Sequence, residues 1–334
     1  AGASCNMSCD YCYYLAKRKL YNNHSPHVMS DYLLELFIKE YIRSQTTRDV
    51  LFTWHGGEPL LRGIDFYKRV VKLQRQYAGG RNIDNCIQTN GTLVDDDWAQ
   101  FFAENRWLVG VSIDGPQHLH DKFRTMRDGG PTFSSVMKGI EALNKHGVEW
   151  NAMAVVNSYN GDSPMEFYSF FRDIECYFVQ FTPIVEPQHL DLSVKPEQWG
   201  DFLCAIFSEW VRKDVGEYFV QLFDAALANW CGESPGVCSM SPQCGHAAAI
   251  EWNGDVYSCD HFVFPDYKLG NILEQGFPSM IYSEKQLSFG KQKTEGLPSQ
   301  CKKCQWLFAC WGECPKNRFS KTDDGEPGLN YLCK

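Results

Sequence analysis

Strand-like and helix-like segments alternate along the first half of the chain, and this alternation limits the possible folds more than any other feature. Residue spacing predicts strands at 49–55, 85–89, 108–113, 149–156 and 177–184, and helices at 30–45, 64–77, 95–105, 132–146 and 164–173. Repeated strand–helix units form parallel sheets with right-handed crossovers. The sequence therefore predicts an α/β fold for this part of the chain.

Polar residues stand at the ends of four predicted strands. They are Gly56-Gly57-Glu58, Gln88-Thr89-Asn90-Gly91, Ser112 with Asp114, and the segment from Gln180 to Val185. A single cluster of this kind is ordinary turn chemistry, since Gly, Asn and Asp favour turns. Four clusters in phase predict a functional site, because the chemistry of such folds lies at the carboxyl ends of the parallel strands.

Three cysteines near the start of the chain, Cys5, Cys9 and Cys12, have the spacing C-x3-C-x2-C. Thiolates on one short loop suit an iron–sulfur cluster. A [4Fe–4S] cluster has four irons, so three thiolates leave one iron open to another ligand. Structural zinc takes four ligands and disulfides need cysteines in pairs. A surface zinc loop that borrows a ligand from elsewhere is the alternative interpretation.

A second cysteine region follows residue 237. Its members are Cys238, Cys244, Cys259, Cys301, Cys304, Cys310, Cys314 and Cys333. Asn253-Gly254, flanked by alternating strand residues, predicts a β-hairpin that delivers Cys259 and Asp260 to one place. Eight ligands divide into two four-cysteine sites, and spacing alone favours iron–sulfur clusters and zinc almost equally. The first cysteine loop favours iron–sulfur clusters. The other four cysteines, Cys86, Cys176, Cys204 and Cys231, are predicted to be buried small hydrophobic residues.

Composition narrows the class of protein. The chain has 334 residues, of which 44% are hydrophobic and 22% are charged, so it can bury a full core without disulfides. Its fifteen cysteines then indicate a reducing, cytoplasmic setting. A net charge of −9 argues against a nucleic-acid partner, and no apolar run is long enough to span a membrane.

From about 190 to 230 the pattern becomes helical. One apolar face is predicted there, formed by Trp199, Phe202, Leu203, Ile206, Phe207, Trp210 and Val211.

Five motifs carry a specific resemblance when they are taken together. They are Cys5-x3-Cys9-x2-Cys12 with Tyr11, Trp54-His55-Gly56-Gly57-Glu58-Pro59, Gln88-Thr89-Asn90-Gly91-Thr92, Ser112-Ile113-Asp114-Gly115-Pro116, and the C-x2-C-x5-C-x3-C run from Cys301 to Cys314 followed by Cys333. In this combination the chain resembles the anaerobic sulfatase-maturating enzymes, a radical S-adenosylmethionine (SAM) family with a SPASM domain. The resemblance implies a partial (β/α)6 barrel at 1–189, a helical bridge at 190–236 and a cysteine-rich SPASM domain with a β-hairpin at 237–334. Because the family's first strand precedes the cysteine loop, we expect further residues before Ala1, and a further helix after Lys334.

The same resemblance implies SAM and three [4Fe–4S] clusters as cofactors. The first cluster would be held by Cys5, Cys9 and Cys12. Auxiliary cluster I would take Cys238, Cys244, Cys259 and Cys314, and auxiliary cluster II would take Cys301, Cys304, Cys310 and Cys333. The residues implied to contact SAM are Tyr11, Gly57, Glu58, Ser112, Arg124 and Val185. Gly57 would let its backbone approach the methionine amino group, and Arg124 with Ser112 would hold the carboxylate.

The activity implied by the resemblance is conversion of a cysteine or serine of a sulfatase polypeptide to Cα-formylglycine. A 5′-deoxyadenosyl radical would take a hydrogen from the target Cβ, and the substrate would then lose a proton and a second electron. Asp260 would accept the proton if its pKa were raised, with His55 and His261 as alternatives. The implied partners are an unfolded sulfatase polypeptide or peptide and an electron donor such as flavodoxin or ferredoxin.

Two other functions remain open from the sequence. A different SPASM enzyme could form thioether crosslinks on a peptide. A zinc-stabilised binding module without catalysis is the alternative from another class, and iron and sulfide analysis would separate it from both enzymes.

Overall fold

The computed structural model describes residues 2–14, 17 and 27–333, and its central feature is a six-stranded sheet with the strands in chain order. The strands are β1 Asp49–Trp54, β2 Asn82–Thr89, β3 Leu108–Ser112, β4 Trp150–Val156, β5 Phe178–Pro183 and β6 Phe219–Val220. The pairs β1–β2, β2–β3, β4–β5 and β5–β6 are all parallel. The predicted α/β fold is confirmed. The sixth strand of this sheet is β6, which the sequence analysis did not predict.

Helices connect successive strands of the sheet, as expected for crossovers of a parallel sheet, and further helices precede β1 and follow β6. They are α1 Asp31–Ser44, α2 Ile64–Tyr77, α3 Asp96–Asn105, α4 Gln117–His120, α5 Phe133–Lys145, α6 Pro164–Asp173, α7 Pro196–Lys213, α8 Gln221–Cys231, α9 Phe277–Ile281, α10 Glu284–Glu295, α11 Ser299–Lys302 and α12 Leu307–Cys310. Side-chain caps fix the starts of two of them. Ser30 accepts a hydrogen bond from Leu33 N, and Asp95 accepts one from Trp98 N.

The described chain folds into two compact units. The first contains Ala1–Ile113, His120–Asn151 and Ala247–Gln286, and the second contains Asp114–Leu119, Ala152–His246 and Leu287–Lys334. The domain boundaries predicted at 189 and 236 stay predictions. Among residues 2–14, 17 and 27–333, no helix is both long and apolar enough to cross a membrane.

Strand β1 shows how the first unit forms its core. Val50, Phe52 and Trp54 are buried, whereas the alternate side chains of this strand are exposed. The Trp54 Nε1–H donates to Asn85 Oδ1 at 2.9 Å, and Gln74 Nε2 donates to the same oxygen at 2.8 Å. The buried polar groups of β1, β2 and α2 are thereby paired, as a core requires.

The burial of side chains differs from two predictions. Helix α7 buries Phe202, Ile206 and Trp210, but Phe207 is 45% exposed and Val211 is 49% exposed. The apolar face is therefore narrower than predicted, because only residues four apart share the buried stripe. The prediction that the four remaining cysteines are buried is confirmed for Cys176, which is buried. It is wrong for Cys204 and Cys231, which are exposed, and Cys86 is half-buried.

The predicted hairpin is present as β7 Ala249–Ile250 and β8 Asp255–Tyr257, which pair antiparallel. Gly254 takes a φ of +87° in the turn, a conformation that suits glycine. A third strand that the sequence did not predict, β9 Lys268–Asn271, pairs with β8. Short strands β10 Ser320–Lys321 and β11 Pro327–Leu329 pair near the end of the chain.

Candidate active site and cluster ligands

The first cysteine loop is fixed by backbone hydrogen bonds to the segment before α5. Ser8 N donates to Thr125 O at 2.9 Å and Asp10 N donates to Phe123 O at 3.3 Å. Within the loop, Met7 N donates to the Cys5 sulfur at 3.3 Å. A backbone N–H that points at a cysteine sulfur stabilises negative charge on that sulfur, which suits a cluster ligand.

The loop is also joined to the end of β2. Asn90 Nδ2 donates to Asn6 Oδ1 at 2.8 Å, and Asn6 Nδ2 donates to Thr92 Oγ1 at 2.8 Å. The Gln88-Thr89-Asn90-Gly91-Thr92 motif thus supports the cysteine loop directly. Turn formation alone does not explain Asn6 and Asn90, because their side chains are hydrogen-bonded across to the other segment.

Glu58 joins the ends of β1 and β2. Its carboxylate accepts hydrogen bonds from Leu60 N, Thr89 Oγ1 and Asn90 N at 2.7 to 2.8 Å. Burial raises the pKa of Glu58 to about 7, although these hydrogen bonds and Arg124 act in the opposite direction. The side chain therefore holds the strand ends in place. Its predicted contact with the SAM amine stays a prediction.

Gly57 has a structural requirement of its own. A Cβ at this position would lie 2.1 Å from Ser4 O, which no real side chain could tolerate. Gly57 N donates to Gly2 O at 2.9 Å, and Glu58 N donates to Ser4 O at 2.7 Å. Glycine is thus needed for the backbone of residues 2–4 to pair with the end of β1. The predicted contact between the Gly57 backbone and the methionine amino group stays a prediction.

Three other predicted SAM contacts lie in the first unit, and Val185 lies in the second. Arg124 Nη1 donates to the Tyr11 hydroxyl at 3.0 Å, so these two predicted contacts are adjacent. Gln88 Nε2 donates to Ser112 Oγ at 2.9 Å, which fixes the serine at the end of β3. Val185 is fully buried, and its carbonyl accepts a hydrogen bond from Lys316 Nζ at 2.9 Å.

Asp260 lies at the start of a short turn, Asp260–Phe262, directly after Cys259. The Lys17 ammonium donates to the Asp260 backbone carbonyl and lies 4.5 Å and 4.3 Å from the ring centroids of Tyr13 and Tyr14. The Tyr13 ring is 5.4 Å from the His261 ring. The two residues after Cys12, a buried lysine and Asp260 therefore form one cluster in the first unit, which we call the Asp260 cluster.

Charges in the Asp260 cluster overturn one expectation. Burial raises the pKa of Asp260, but His261, His55, a hydrogen bond from the Cys259 thiol and Lys17 lower it further, so the pKa lies below its usual value. The raised pKa expected from the sequence is therefore wrong. The Cys259 hydrogen bond needs the thiol proton, which a metal-bound thiolate lacks.

Tyr13 in the cluster and His55 beside it are neutral near pH 7. Burial lowers the pKa of His55 to about 4, and burial with the charge of Asp260 holds the pKa of Tyr13 well above its usual value. The Tyr14 hydroxyl and His55 Nδ1 are hydrogen-bonded at 2.8 Å. Because neutral imidazole can accept at this nitrogen, the hydroxyl of Tyr14 is a suitable donor.

The tail cysteines fall into two neighbourhoods within the second unit. After burial, the charges of Cys333, Cys310 and Cys304 raise the pKa of Cys301, so these four thiols lie close together. Cys238 and Cys244 likewise contribute to raising the pKa of Cys314, behind burial and Glu313. Cys259, the fourth ligand implied for that set, belongs to the first unit. Charge interactions of this kind relate seven of the eight tail cysteines within the second unit, and the two ligand sets stay predictions.

A left-handed turn separates Cys310 from Cys314. Trp311, Gly312 and Glu313 have φ values of +48°, +68° and +53° in succession. Arg318 donates to the backbone carbonyls of all three residues at 2.9 to 3.1 Å. Non-glycine residues rarely adopt this conformation, so the guanidinium stabilises a turn that the local sequence alone would not favour.

Comparisons with known proteins show the family of this chain. The family model of the radical SAM superfamily matches residues 2–171, and the SPASM model, an iron–sulfur cluster-binding domain, matches residues 238–305. A serine-type anaerobic sulfatase-maturating enzyme of Bacteroides thetaiotaomicron is 61% identical over 100% of this chain and 85% of its own length. The chain belongs to the anaerobic sulfatase-maturating enzymes of the radical SAM superfamily. This membership sets aside the non-catalytic zinc module.

Two further members extend the comparison. A cysteine-type anaerobic sulfatase-maturating enzyme of Clostridium perfringens is 32% identical over 100% of this chain and 92% of its own length. The solved structure of anSMEcpe with bound AdoMet and the Kp18Cys peptide is 32% identical, has a TM-score of 0.90, and covers 100% of this chain and 92% of the other. The fold of this chain thus matches that solved structure over its whole length.

As an anaerobic sulfatase-maturating enzyme, the protein uses SAM and three [4Fe–4S] clusters. The donor set fits these clusters. Neighbouring thiols that raise one another's pKa cannot all ionise without a cationic centre, and iron supplies that centre. Among the described residues, no group of three or more His, Cys, Asp or Glu side chains is arranged to hold a single metal ion.

Sequence reasoning missed three members of the Asp260 cluster. Tyr13 and Tyr14 directly follow the last cysteine of the loop, so the aromatic run after Tyr11 was an available signal. Lys17 gave no signal, because a lysine in sequence is normally exposed. Its partner Asp260 is 243 residues away along the chain.

Proposed function

We propose that this enzyme oxidises a serine side chain of a sulfatase polypeptide to Cα-formylglycine. The substrate would lose a hydrogen atom to the 5′-deoxyadenosyl radical, a proton to Asp260 and a second electron to an oxidised auxiliary cluster. The serine preference is supported by the 61% identity to a serine-type relative. The observation that supports Asp260 is its place in the Asp260 cluster, next to the proposed ligand Cys259 and among side chains that follow the first cysteine loop.

Each cofactor has proposed ligands in this chain. Cys5, Cys9 and Cys12 hold the first cluster, and Tyr11, Gly57, Glu58, Ser112, Arg124 and Val185 contact SAM. When bound there, SAM and the first cluster supply the 5′-deoxyadenosyl radical that removes hydrogen from the target Cβ. Cys238, Cys244, Cys259 and Cys314 hold auxiliary cluster I, and Cys301, Cys304, Cys310 and Cys333 hold auxiliary cluster II.

The position of the Asp260 carboxylate, beside Cys259 and among the residues that follow the first cysteine loop, supports its role as the proton acceptor. Asp260 is ionised at neutral pH and can take a proton, although its lowered pKa makes it a weaker base than an ordinary carboxylate. Tyr13 is a neutral phenol at that pH and is not an anionic base. The lowered pKa of His55 makes its neutral imidazole a weak base. Lys17 lies against the Asp260 backbone and restrains its position. Lys17 thus restrains the segment that carries the base, and Asp260 is in its ionised form at neutral pH.

We further propose the setting in which the enzyme works. Its electron donor is flavodoxin or ferredoxin, because a [4Fe–4S] cluster needs a low-potential reductant. It is cytoplasmic, since its many cluster cysteines need a reducing compartment. Its net charge of −9 supports the absence of a nucleic-acid partner. The division into a barrel at 1–189, a bridge at 190–236 and a SPASM domain at 237–334 belongs to the same proposal.

The test uses two sulfatase-derived peptides that differ only in Ser or Cys at the target. The cluster-loaded enzyme is incubated without oxygen with SAM and dithionite, and mass spectrometry follows the aldehyde and 5′-deoxyadenosine. We expect stoichiometric aldehyde and 5′-deoxyadenosine, with the Ser peptide preferred. A preference for the Cys peptide would reverse the assigned substrate type, and 5′-deoxyadenosine without a change in either peptide would refute the sulfatase assignment.

A pair of variants tests the role of Asp260. Asp260→Asn removes the proton acceptor and is expected to lower aldehyde formation at least 100-fold while SAM cleavage continues. Asp266→Asn changes an exposed carboxylate a few residues away and should leave both products unchanged. Equal aldehyde formation by Asp260→Asn and the unaltered enzyme would exclude Asp260 as the acceptor.

A further inference from the structure

Lys293 is a fully buried lysine on α10, with 0% of its surface exposed. Its ammonium donates to the backbone carbonyls of Cys238 and Ser239, the latter at 2.8 Å. Burial of an ammonium is costly unless a negative charge lies nearby. Two carbonyl dipoles satisfy hydrogen bonds but do not neutralise the charge.

Carboxylates do not provide that negative charge. Within the described part of the chain, no carboxylate lies within 4.0 Å of the Lys293 ammonium. Burial lowers the pKa of Lys293, and the groups that favour its charged form are Cys244, Cys238 and Cys314. The Lys293 ammonium lies directly against the backbone of Cys238, so the negative charge available to it is that of the cluster and thiolates which Cys238 and its set would hold.

The backbone of α10 is shaped to approach that same set. Gly290, one turn before Lys293, accepts a hydrogen bond at its carbonyl from Cys244 N at 3.3 Å. A Cβ at Gly290 would lie 2.7 Å from Cys244 O, so a larger residue would push the helix away. The helix thus presents a glycine to Cys244 and a cation to Cys238.

In the part of the chain that the structure describes, no buried lysine is hydrogen-bonded to the backbone of the other cysteine set. Cys304, Cys310 and Cys333 are exposed, and the cation that acts on Cys301 is Arg318. Arg318 also acts on Cys244 and Cys314, and its N–H groups bind the carbonyls of the left-handed turn, so its charge is shared by both sets. Lys293 distinguishes the two sets, because its ammonium is hydrogen-bonded to the backbone of Cys238.

We propose that Lys293 is the charge partner of the auxiliary cluster held by Cys238, Cys244 and Cys314, and that it raises the reduction potential of that cluster. The inference rests on the ligand set proposed above. One-electron reduction adds a negative charge to a cluster without forming or breaking a bond. A fixed cation beside the ligands stabilises the reduced form, since net charge and hydrogen bonding set such potentials.

The test is an anaerobic redox titration with dithionite and mediators, followed by electron paramagnetic resonance, on protein without peptide. Lys293→Gln keeps donors for the two carbonyls and removes the charge, whereas Lys293→Arg keeps the charge. We expect one of the three clusters to shift to a more negative midpoint in Lys293→Gln and to return towards the original value in Lys293→Arg. Lys291→Met, an exposed lysine on the same helix, is the matched control and should shift none.

Several results would overturn the proposal. They are an unchanged midpoint in a fully iron-loaded Lys293→Gln, equal shifts of all three clusters, or equal shifts in the Gln and Arg variants. If Lys293→Gln loses iron, the proposal requires that it lose the iron of one cluster and that Lys293→Arg retain all its iron. Loss of iron in both variants would refute the proposal. The redox titration uses no sulfatase peptide. An unchanged midpoint would therefore refute the role of Lys293 without bearing on formylglycine formation, which the peptide assay tests. Retention of all iron in Cys238→Ala would instead contradict the proposed ligand set.

Discussion

The Lys17 ammonium lies against the backbone carbonyl of Asp260 and over the rings of Tyr13 and Tyr14. Removing it frees the segment after Cys259 and removes a positive charge from the Asp260 cluster. We expect Lys17→Met to lower kcat for the peptide about 10- to 100-fold with little change in KM, because positioning affects the reaction more than binding. More 5′-deoxyadenosine should form per aldehyde, as mass spectrometry can measure.

Two comparisons distinguish positioning from general damage in that experiment. Lys17→Arg keeps a cation of similar reach and should recover part of kcat. Lys68→Met alters an exposed lysine of the same unit and should behave as the unaltered enzyme. A rise in KM alone, with kcat and coupling intact, would contradict a positioning role for Lys17.

Glu58 gives the protein a specific pH dependence. Its folded-state pKa is raised to about 7 by burial, so the folded chain prefers the neutral carboxyl. The stability from this group is fully present below its unfolded pKa, near 4.5, and is lost as pH rises through 7. The loss amounts to about 3 kcal/mol for a shift of this size. We expect the unfolding temperature of the loaded enzyme to fall between pH 5.5 and 8, and Glu58→Gln to flatten that fall.

The matched control for Glu58 is Glu104→Gln, an exposed carboxylate of the same unit. It should keep the slope of the unaltered enzyme over the same pH range. An unchanged slope in Glu58→Gln would show that another group causes the dependence. Thermal melts followed by circular dichroism, under nitrogen, measure each variant.

At the residue scale, the sequence predicted side chains that belong to short motifs. Cys5, Glu58 and Asn90 stand in such motifs, and the structure links them through the hydrogen bonds of Asn90. Lys17 and Lys293 belong to no motif, because a lysine becomes informative only when its burial is known. Charge balance in the interior therefore had to come from the structure.

The turn between Cys310 and Cys314 gives a prediction at the scale of an element. In Gly312→Ala the new Cβ would lie 2.3 Å from Leu297 Cδ2 and 2.7 Å from Arg318 Nη2. Both the positive φ and the clash oppose alanine, at a cost of about 1–3 kcal/mol or more. We expect a lower unfolding temperature and loss of iron from the second unit.

Gly236 provides a matched control for that turn. It has a φ of +69° in the same unit, but a Cβ there meets nothing within 4 Å. Gly236→Ala should therefore cost only the backbone strain, about 1 kcal/mol, and keep its iron. Iron content and melting curves measured on both variants separate strain from steric conflict. Equal losses in the two variants would mean that packing around Gly312 does not hold the cluster ligands.

Whole elements were predicted well where periodicity was long. Helices α2 and α6 begin and end at the predicted residues, and β4 differs by one residue from its prediction. Strands β6 and β9 were missed, because two to four residues carry too little periodicity to stand out. The exposed part of α7 was misjudged for another reason. Periodicity marks an apolar face but does not tell how much of it a neighbour covers.

The whole molecule divides the cluster cysteines between its units. Cys5, Cys9 and Cys12 lie in the first unit, whereas the four cysteines implied for auxiliary cluster II all lie in the second. The order of the two cysteine regions in the sequence separates these two sets in the same way. Cys259 of auxiliary cluster I departs from that order, because it follows residue 237 and yet belongs to the first unit. Compact units that hold complete ligand sets can lose one set without losing the other, provided that each keeps its own core.

This division predicts separable cluster loss. Cys310→Ser removes one implied ligand of auxiliary cluster II, and we expect iron equivalent to one of the three clusters to be lost. SAM cleavage in the absence of peptide should continue, since the ligands of the first cluster lie in the other unit. Cys204→Ser changes an exposed cysteine of the second unit that belongs to neither set, and it should retain all iron. Iron analysis and 5′-deoxyadenosine assays are made on both variants. If Cys310→Ser lost all SAM cleavage while Cys204→Ser kept it, the clusters would not be independently held.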